Sequence, residues 1–244
     1  MSKIQGFLLH LAISATVVGI ALAVIFLVWY PYPYFHIAGA FDVVQVLVGV
    51  DLVLGPALTL YLYRPGKPWV RVDLAVIAAI QIAALVYGLW TIHSERPRYM
   101  VFAVDRYIVL GDRDINRADV ATELADGQQL SGPLYVAAIL PADVAARQQL
   151  LTELLDGKPD IEYRPEFWYA LDARLADVTS RVRPLAELDA RGDDDGLAEF
   201  RGRDASLGYI PVMHKTQTPR ALIVDRETAR PVGLVDVNPF EQAP

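Results

Sequence analysis

The most distinctive chemical position in this sequence is Asp51, a carboxylate in the middle of a long apolar block. An ionised carboxylate near the centre of a bilayer costs at least about 2.5–3.5 kcal/mol, so a polar partner must offset that cost. Gln81 lies at a matching depth in the next apolar block, which predicts an Asp51–Gln81 hydrogen bond between antiparallel helices. Alternatively, Asp51 faces a groove in which a partner transmembrane segment supplies a polar or cationic group.

Two neighbours of Asp51 alter the helix around it. Gly55 follows one turn later on the same face and lets another backbone approach closely. Pro56 removes a backbone donor, frees the carbonyl of Leu52 and predicts a kink. We therefore take Asp51, Gly55, Pro56 and Gln81 together as the candidate partner-binding site. The other two carboxylates of this region, Asp42 and Asp73, lie near helix ends and are explained as interfacial residues.

The sequence favours neither a metal site nor a cofactor site. It contains no cysteine, which excludes thiol catalysis, thiolate zinc sites and disulfides. It has no Gly-x-Ser-x-Gly elbow and no glycine-rich phosphate loop. The run Asp193 to Asp195 fails the calcium-loop pattern, because Arg191 stands where the first carboxylate should be. The four histidines are dispersed without ligand spacing: His10, His36, His93 and His214.

An enzymatic alternative rests on two carboxylates of the polar region. Asp105 and Asp225 each follow a predicted strand and precede an arginine, as a membrane-anchored hydrolase or transferase could require. Salt bridges at a sheet edge explain the same pattern equally well, so a non-enzymatic role is preferred. A signalling receptor is a third class, but the short segments between the apolar blocks offer no output domain.

Three long apolar blocks carry the candidate site, at about residues 7–29, 38–63 and 73–92. A helix of about 22 residues spans roughly 33 Å, which matches a hydrocarbon core of about 30 Å. From Glu95 onward no block is long or apolar enough to cross a bilayer. The sequence therefore predicts a three-helix transmembrane domain at 1–94 and an aqueous domain at 95–244.

The basic residues predict the orientation. Lys3 precedes the first block, and Arg64, Lys67 and Arg71 lie between the second and third, whereas the loop Tyr30 to His36 carries no formal charge. Short loops rich in Lys and Arg stay in the cytoplasm. We therefore expect the N-terminus inside and residues 95–244 in the periplasm, with the protein in a bacterial inner membrane. Aromatic residues expected at the outer interface are Trp29, Tyr30, Tyr32, Tyr34 and Trp90.

A cleaved signal peptide is the competing interpretation of the first block, since Ala38-Gly39-Ala40 resembles a cleavage site. The apolar stretch is longer than the roughly 7–15 residues of the apolar h-region of a signal peptide, which favours a retained helix.

The charge of −7 is concentrated after the apolar blocks. Before Glu95 there are four basic and three acidic residues, and from Glu95 onward there are 18 and 26. An acidic outer domain argues against nucleic acid or anionic lipid as its partner.

The outer domain mixes strand-like and helix-like segments, which predicts an α+β fold. A polar segment, Ala186 to Gly208, is predicted as a mobile loop or weak helix. The predicted strands are 100–104, 107–110, 134–140, 209–213, 221–225 and 232–237, and the predicted helices are 117–125, 142–156 and 167–178.

Several motifs in order resemble one known family. They are Phe7-x-x-His10-Leu11-x-x-Ser14, Val28-Trp29-Tyr30-Pro31, Asp51-x-x-Leu54-Gly55-Pro56-x-Leu58-Thr59, Asp73-Leu74 with Gln81 and Tyr87-Gly88, and Phe102-x-Val104-Asp105-Arg106. Over roughly the first 106 residues the chain is similar to the TfpX/TfpZ-type accessory proteins of bacterial type IV pilins.

The resemblance implies an inner-membrane protein that assists assembly, stability or surface display of a type IV pilin. Its expected partners are a pilin subunit, membrane lipid and the pilus assembly machinery. We expect the helix bundle around Asp51, Gly55 and Gln81 to receive the pilin helix and the acidic domain to contact the pilin head. In the enzymatic alternative the protein is a pilin-modifying enzyme. No catalytic residue is implied by the resemblance.

Overall fold

The computed structural model describes residues 2–64, 68–127, 131–189, 195–200, 202–203, 205–215 and 217–241. Its contacts divide the chain into two compact units. The first comprises Met1–Pro31 and Gly39–Arg96, and the second comprises Tyr32–Ala38 and Pro97–Pro244. The loop between the first two apolar blocks is therefore grouped with the C-terminal part of the chain.

The first unit consists of the three long apolar helices that the sequence predicted. These are α1 (Lys3–Trp29), α3 (Phe41–Leu62) and α4 (Val70–Ser94), each long and apolar enough to cross a membrane. Helix α1 begins with a capping box, because Ser2 accepts from the backbone of Gln5 while the Gln5 side chain accepts from the backbone of Ser2. Helix α3 begins at Phe41 and not at the predicted residue 38. The preceding residues form a separate short helix, α2 (Tyr34–Ala38), and Gly39 adopts a φ of 68°.

The second unit is built around a mixed seven-stranded sheet, which confirms the α+β fold of this part. The sheet has the order β4-β3-β1-β2-β5-β6-β7. The pairs β1–β3 and β2–β5 are parallel, and the remaining pairs are antiparallel. The strands are β1 (Tyr99–Ala103), β2 (Arg106–Leu110), β3 (Leu134–Ala138), β4 (Trp168–Ala170), β5 (Leu207–His214), β6 (Arg220–Asp225) and β7 (Pro231–Val235).

Both faces of the sheet are buried. Alternate strand residues point to opposite sides, so each strand contributes to two cores. On one face, Met100 and Phe102 of β1 pack in a core that includes Tyr34 and Ile37 of α2. On the other, Val101 packs in a core with residues of the surrounding helices and loops. The loop between α1 and α3 thus supplies part of the hydrophobic core of the second unit.

The helices of the second unit are short. They are α5 (Thr122–Asp126), α6 (Val144–Leu155), α7 (Leu175–Thr179), α8 (Ala186–Asp189) and α9 (Asp195–Ala198). Helix α6 lies within the predicted 142–156, whereas the predicted 117–125 divides into a 3₁₀ turn and α5. The predicted helix 167–178 is wrong over its first half, because Trp168–Ala170 pairs with β3 and buries the Trp168 ring. Only its end, from Leu175, is α-helical.

The polar segment after Ala186 contributes to the core where the structure describes it. Leu188, Leu197 and Phe200 are buried against β5, β6 and β7. Arg191, Asp193 and Asp194, which were compared with the calcium-loop pattern, lie outside the described residues.

Candidate functional site

Helix α3 changes its hydrogen-bonding pattern at Asp51. Gly49–Leu54 form a π-helical turn, in which the Gly55 backbone N–H donates to the Val50 carbonyl. In this pattern the Asp51 carbonyl would accept from residue 56, but that residue is a proline and has no N–H. Pro56 therefore leaves the backbone carbonyl of Asp51 without its helical donor. With ordinary α-helical bonding, the sequence predicted that the carbonyl of Leu52 would be the one left without a donor. Single π turns of this kind often occur at functional sites.

Gln81 of α4 supplies the missing donor. Its Nε2 lies 3.5 Å from the Asp51 carbonyl oxygen and 3.3 Å from Asp51 Oδ1. The predicted Asp51–Gln81 hydrogen bond is confirmed, and the same amide also serves the backbone carbonyl. Both side chains are buried, at 5% and 8% exposure. The other carboxylate oxygen, Asp51 Oδ2, is buried and accepts from no group among the described residues.

Gly55 provides the space that Gln81 occupies. A Cβ at position 55 would lie 2.0 Å from Gln81 Nε2 and 2.4 Å from its Cδ. Atoms this close overlap, so an alanine here would displace the amide. The structure thus brings Asp51, Gly55 and Gln81 into direct contact, while the buried Pro56 shapes the turn that aims the Asp51 carbonyl.

Further polar side chains contact one another or are buried elsewhere in the same bundle. His10 Nδ1 of α1 lies 2.5 Å from Thr59 Oγ1 of α3, and Ser14 is buried one turn further along α1. We did not identify His10, Ser14 or Thr59 from the sequence as site residues. Their signal is that isolated polar residues stand at matching depths in facing apolar blocks.

Two grooves flank Asp51, and it lines both. The α3/α4 groove has a volume of about 430 Å³ and is lined by residues that include Val46, Val50, Ala84, Gly88 and Thr91. The α1/α4 groove has a volume of about 230 Å³ and is lined by residues that include Ile13, Ser14, Val17, Ala78 and Ile82. The Asp51 side chain therefore lies beside space that a ligand or another helix can enter, with its Oδ2 atom buried at the edge of that space.

The two carboxylates of the enzymatic alternative have structural contacts. Asp225 Oδ1 accepts from the Thr228 backbone N–H at 2.9 Å, the Thr228 hydroxyl at 3.0 Å and the Glu227 backbone N–H at 3.0 Å. These bonds, those from Thr228 first, lower the pKa of Asp225 and close the β6–β7 turn. Asp105 pairs with Arg106 at 2.8 Å and Arg183 at 3.5 Å. Each carboxylate thus has a local structural role.

No three residues of the metal-binding types His, Cys, Asp and Glu gather in a metal-binding cluster within the described ranges. The candidate site therefore lies around Asp51 in the first unit. We call Asp51, Gly55, Pro56 and Gln81 the Asp51 layer, and its buried carboxylate is suited to accepting a hydrogen bond inside an apolar bundle.

Comparison with known proteins gave consistent matches. A family model described as "Fimbrial assembly protein FimB" matches residues 1–39. The chain is 31% identical to the fimbrial assembly protein of Dichelobacter nodosus serogroup I, over 98% of this chain and 96% of the relative. It is 29% identical to the serogroup E1 protein over the same shares, and 37% identical to that of serogroups C1 and C2 over 47% of this chain and 87% of that relative. No solved structure gave a significant match. The chain therefore belongs to the fimbrial assembly protein FimB family.

Proposed function

We propose that this protein is an inner-membrane accessory protein of the TfpX/TfpZ type, which binds a type IV pilin subunit and assists its assembly, stability or surface display. In this proposal the three-helix bundle binds the pilin's transmembrane helix at the Asp51 layer. The acidic C-terminal unit contacts the pilin head in the periplasm. The protein acts as a chaperone-like partner and not as an enzyme.

The observation that carries the proposal is the unpaired Asp51 Oδ2 inside an apolar bundle. A carboxylate oxygen with no donor is costly in such a setting, and its cost falls when a partner brings a hydrogen-bond donor. The surrounding residues suit binding better than catalysis, because the α3/α4 groove is lined mainly by Val, Leu and Ala side chains. A role in fimbrial assembly is also what the names of the full-length relatives state for those proteins.

The packing of the segment Tyr32–Ala38 supports the proposed topology. Tyr34 and Ile37 lie in the core of the unit that contains residues 97–244. A segment that packs within a domain lies on the same side of a membrane as that domain. The chain between Tyr32–Ala38 and residue 97 must therefore cross the membrane twice, once as α3 and once as α4. With the basic residues inside, this side is the periplasm. An alkaline phosphatase fused to the C-terminus is expected to be active, and an inactive fusion would contradict this orientation.

Substitution of Asp51 tests the proposal. Asp51→Asn and Asp51→Ala are expected to reduce co-purification of the pilin in mild detergent at least fivefold and to reduce surface pili. Asp73→Asn is the matched control, since it removes a carboxylate near the start of α4, away from both grooves. Immunoblots of the variants must show normal protein levels. Normal pilin capture and piliation in both Asp51 variants would refute the Asp51 layer as the binding site.

A further inference from the structure

The two grooves beside Asp51 differ in volume and in the α4 residues that line them. We infer that the partner's transmembrane helix binds in the α3/α4 groove and places a hydrogen-bond donor against Asp51 Oδ2. The inference deepens the proposed function, on which it rests for the identity of the partner as a pilin subunit.

Helix α4 presents small residues along this groove. Ala84, Gly88 and Thr91 are spaced at i, i+4 and i+7, so they lie on one face of the helix, and all three line the groove. Small residues at this spacing let helix backbones approach closely within a membrane. Ala84 is exposed, and Gly88 and Thr91 are half-buried. Leu85 and Tyr87 of α4 also line the groove and flank this strip of small residues.

Gly55 of α3 and Gly88 of α4 differ in a way that supports this assignment. Gly55 is required inside the bundle, because a Cβ there would overlap Gln81 at 2.0 Å. A Cβ at Gly88 would meet only Leu47 Cδ1, at an ordinary contact distance of 3.5 Å. Packing within the described bundle therefore does not require a glycine at position 88. Close approach by a second molecule would require one.

The carboxylate supplies the polar element of the groove. Asp51 is 5% exposed and lines the α3/α4 groove together with Val46 and Val50 of α3. Oδ1 accepts from Gln81, and Oδ2 accepts from no group in the part of the chain that the structure describes. A ligand of this groove thus needs a mostly apolar surface with one hydroxyl, amide or amine donor at the depth of Asp51.

This chemistry favours a helix over the other possible occupants. A lipid acyl chain fits the apolar walls but has no donor for Oδ2. A second copy bound symmetrically through the same groove would bring its own Asp51 carboxylate towards this one, which is unfavourable at low dielectric. The α1/α4 groove is about half as large, and Ile13, Val17 and Ile82 are among the residues that line it. Branched side chains of this size hold a second backbone further away than Ala84 and Gly88 do.

Cysteine crosslinking in cells tests the groove directly, because the chain has no native cysteine. Val46→Cys and Gly88→Cys label the α3/α4 groove, and Val17→Cys and Ile82→Cys label the α1/α4 groove. Each is paired with a pilin that carries single cysteines scanned through its transmembrane helix. Disulfides at every third or fourth pilin position are expected from the first pair, at least fivefold more abundant than from the second.

Filling the groove gives an independent readout. Gly88→Leu is expected to reduce pilin co-purification about tenfold, whereas Ala78→Leu, a matched small-to-large change on α4 in the other groove, is expected to leave it unchanged. Crosslinks mainly from Val17→Cys and Ile82→Cys would overturn the groove assignment while leaving pilin binding intact. Disulfide-linked copies of this chain, or unchanged capture by Gly88→Leu, would overturn the helix as occupant. Failure of the proposed function itself has a different signature, which is normal pilin capture and piliation in the Asp51 variants.

Discussion

Replacing Gly55 with alanine gives the sharpest test of the Asp51 layer. The new Cβ would lie 2.0, 2.4 and 2.8 Å from Gln81 Nε2, Cδ and Oε1. These atoms are the far end of a flexible side chain, so the amide is expected to rotate away with little movement of the backbone. The change therefore removes the Gln81 contacts to Asp51 Oδ1 and to the Asp51 carbonyl, at 3.3 and 3.5 Å.

The magnitude follows from those two contacts. Hydrogen bonds between membrane helices contribute about 0.6 kcal/mol on average and up to about 1.7 kcal/mol, so losing both costs about 1–3 kcal/mol. The higher helix propensity of alanine over glycine returns about 0.8–1 kcal/mol. We expect Gly55→Ala to lower the free energy of unfolding by up to about 2 kcal/mol. In a Gln81→Ala background the overlap and both contacts are absent, so the same change should stabilise the bundle by up to about 1 kcal/mol.

A double-mutant cycle measures this reversal of sign. The four proteins are purified in mild detergent and unfolded by titration with SDS, and circular dichroism at 222 nm follows the three long helices. The expected coupling between positions 55 and 81 is about 2 kcal/mol. If Gly55→Ala has the same effect in both backgrounds, Gln81 does not occupy the space beside Gly55 and the account of the Asp51 layer is wrong.

Two further predictions concern the C-terminal unit. Hydrogen bonds from Arg164 first, then Lys158 and Gln149, lower the pKa of Glu153 from 4.5 to about 2, so its stabilising effect is complete above the unfolded pKa and is lost as pH falls towards 2. The difference in unfolding free energy between wild type and Glu153→Gln should thus be constant above pH about 5 and vanish near pH 2, and a difference that persists at pH 2 would contradict this origin. Ile37 is 2% exposed, and Ile37→Ala is expected to lower the free energy of unfolding of the C-terminal unit by about 2–5 kcal/mol. Proteolysis in increasing urea measures this loss. His36→Ala, at the exposed neighbouring position, is the control, and equal effects of the two changes would show that the segment is not part of that core.

The three long apolar helices were predictable because few physical solutions exist for such blocks. Apolar blocks of about 20 residues must be helical, since lipid leaves no other partner for backbone groups. The same scarcity of partners made the Asp51–Gln81 contact predictable, because Gln81 is a polar residue at the matching depth of the facing block. Strands β5 and β6 were recognisable as short, nearly continuous apolar runs, since both of their faces are buried.

The features that were missed depend on contacts between distant parts of the chain. Tyr34 lies between the first two apolar blocks and so resembled an interfacial aromatic residue, but it is buried, and its hydroxyl is hydrogen-bonded to that of Tyr135, 101 residues later. Burial of the Tyr34 ring, and then the neighbouring Tyr135 hydroxyl, raise the pKa of Tyr34. Trp168 begins a segment with apolar residues at helical spacing, yet pairing with β3 overrides that local pattern. Neither partner is visible in the neighbouring sequence.

Gly55 illustrates a role that spacing alone assigned to the wrong neighbour. A glycine one turn from a buried carboxylate suggested close approach by another backbone, and the space is instead filled by the Gln81 side chain. Gly88 lines the α3/α4 groove, and its missing side chain leaves room there that the bundle does not use. Only the positions of facing side chains distinguish the two.

An internal hydrogen bond and a partner's hydrogen bond at Asp51 are compatible, because a carboxylate has two oxygens and about four lone-pair sites. The single Gln81 amide reaches Oδ1 and the Asp51 carbonyl, which fixes the side chain but leaves Oδ2 without a donor in the described bundle. In the proposed complex, Gln81 holds the carboxylate in one orientation before the pilin binds, so the pilin need not supply the energy to order it. The residues that were grouped as one binding site then divide by role. Gly55, Pro56 and Gln81 position Asp51, and Asp51 Oδ2 with the open wall of α4 is the part left for another molecule.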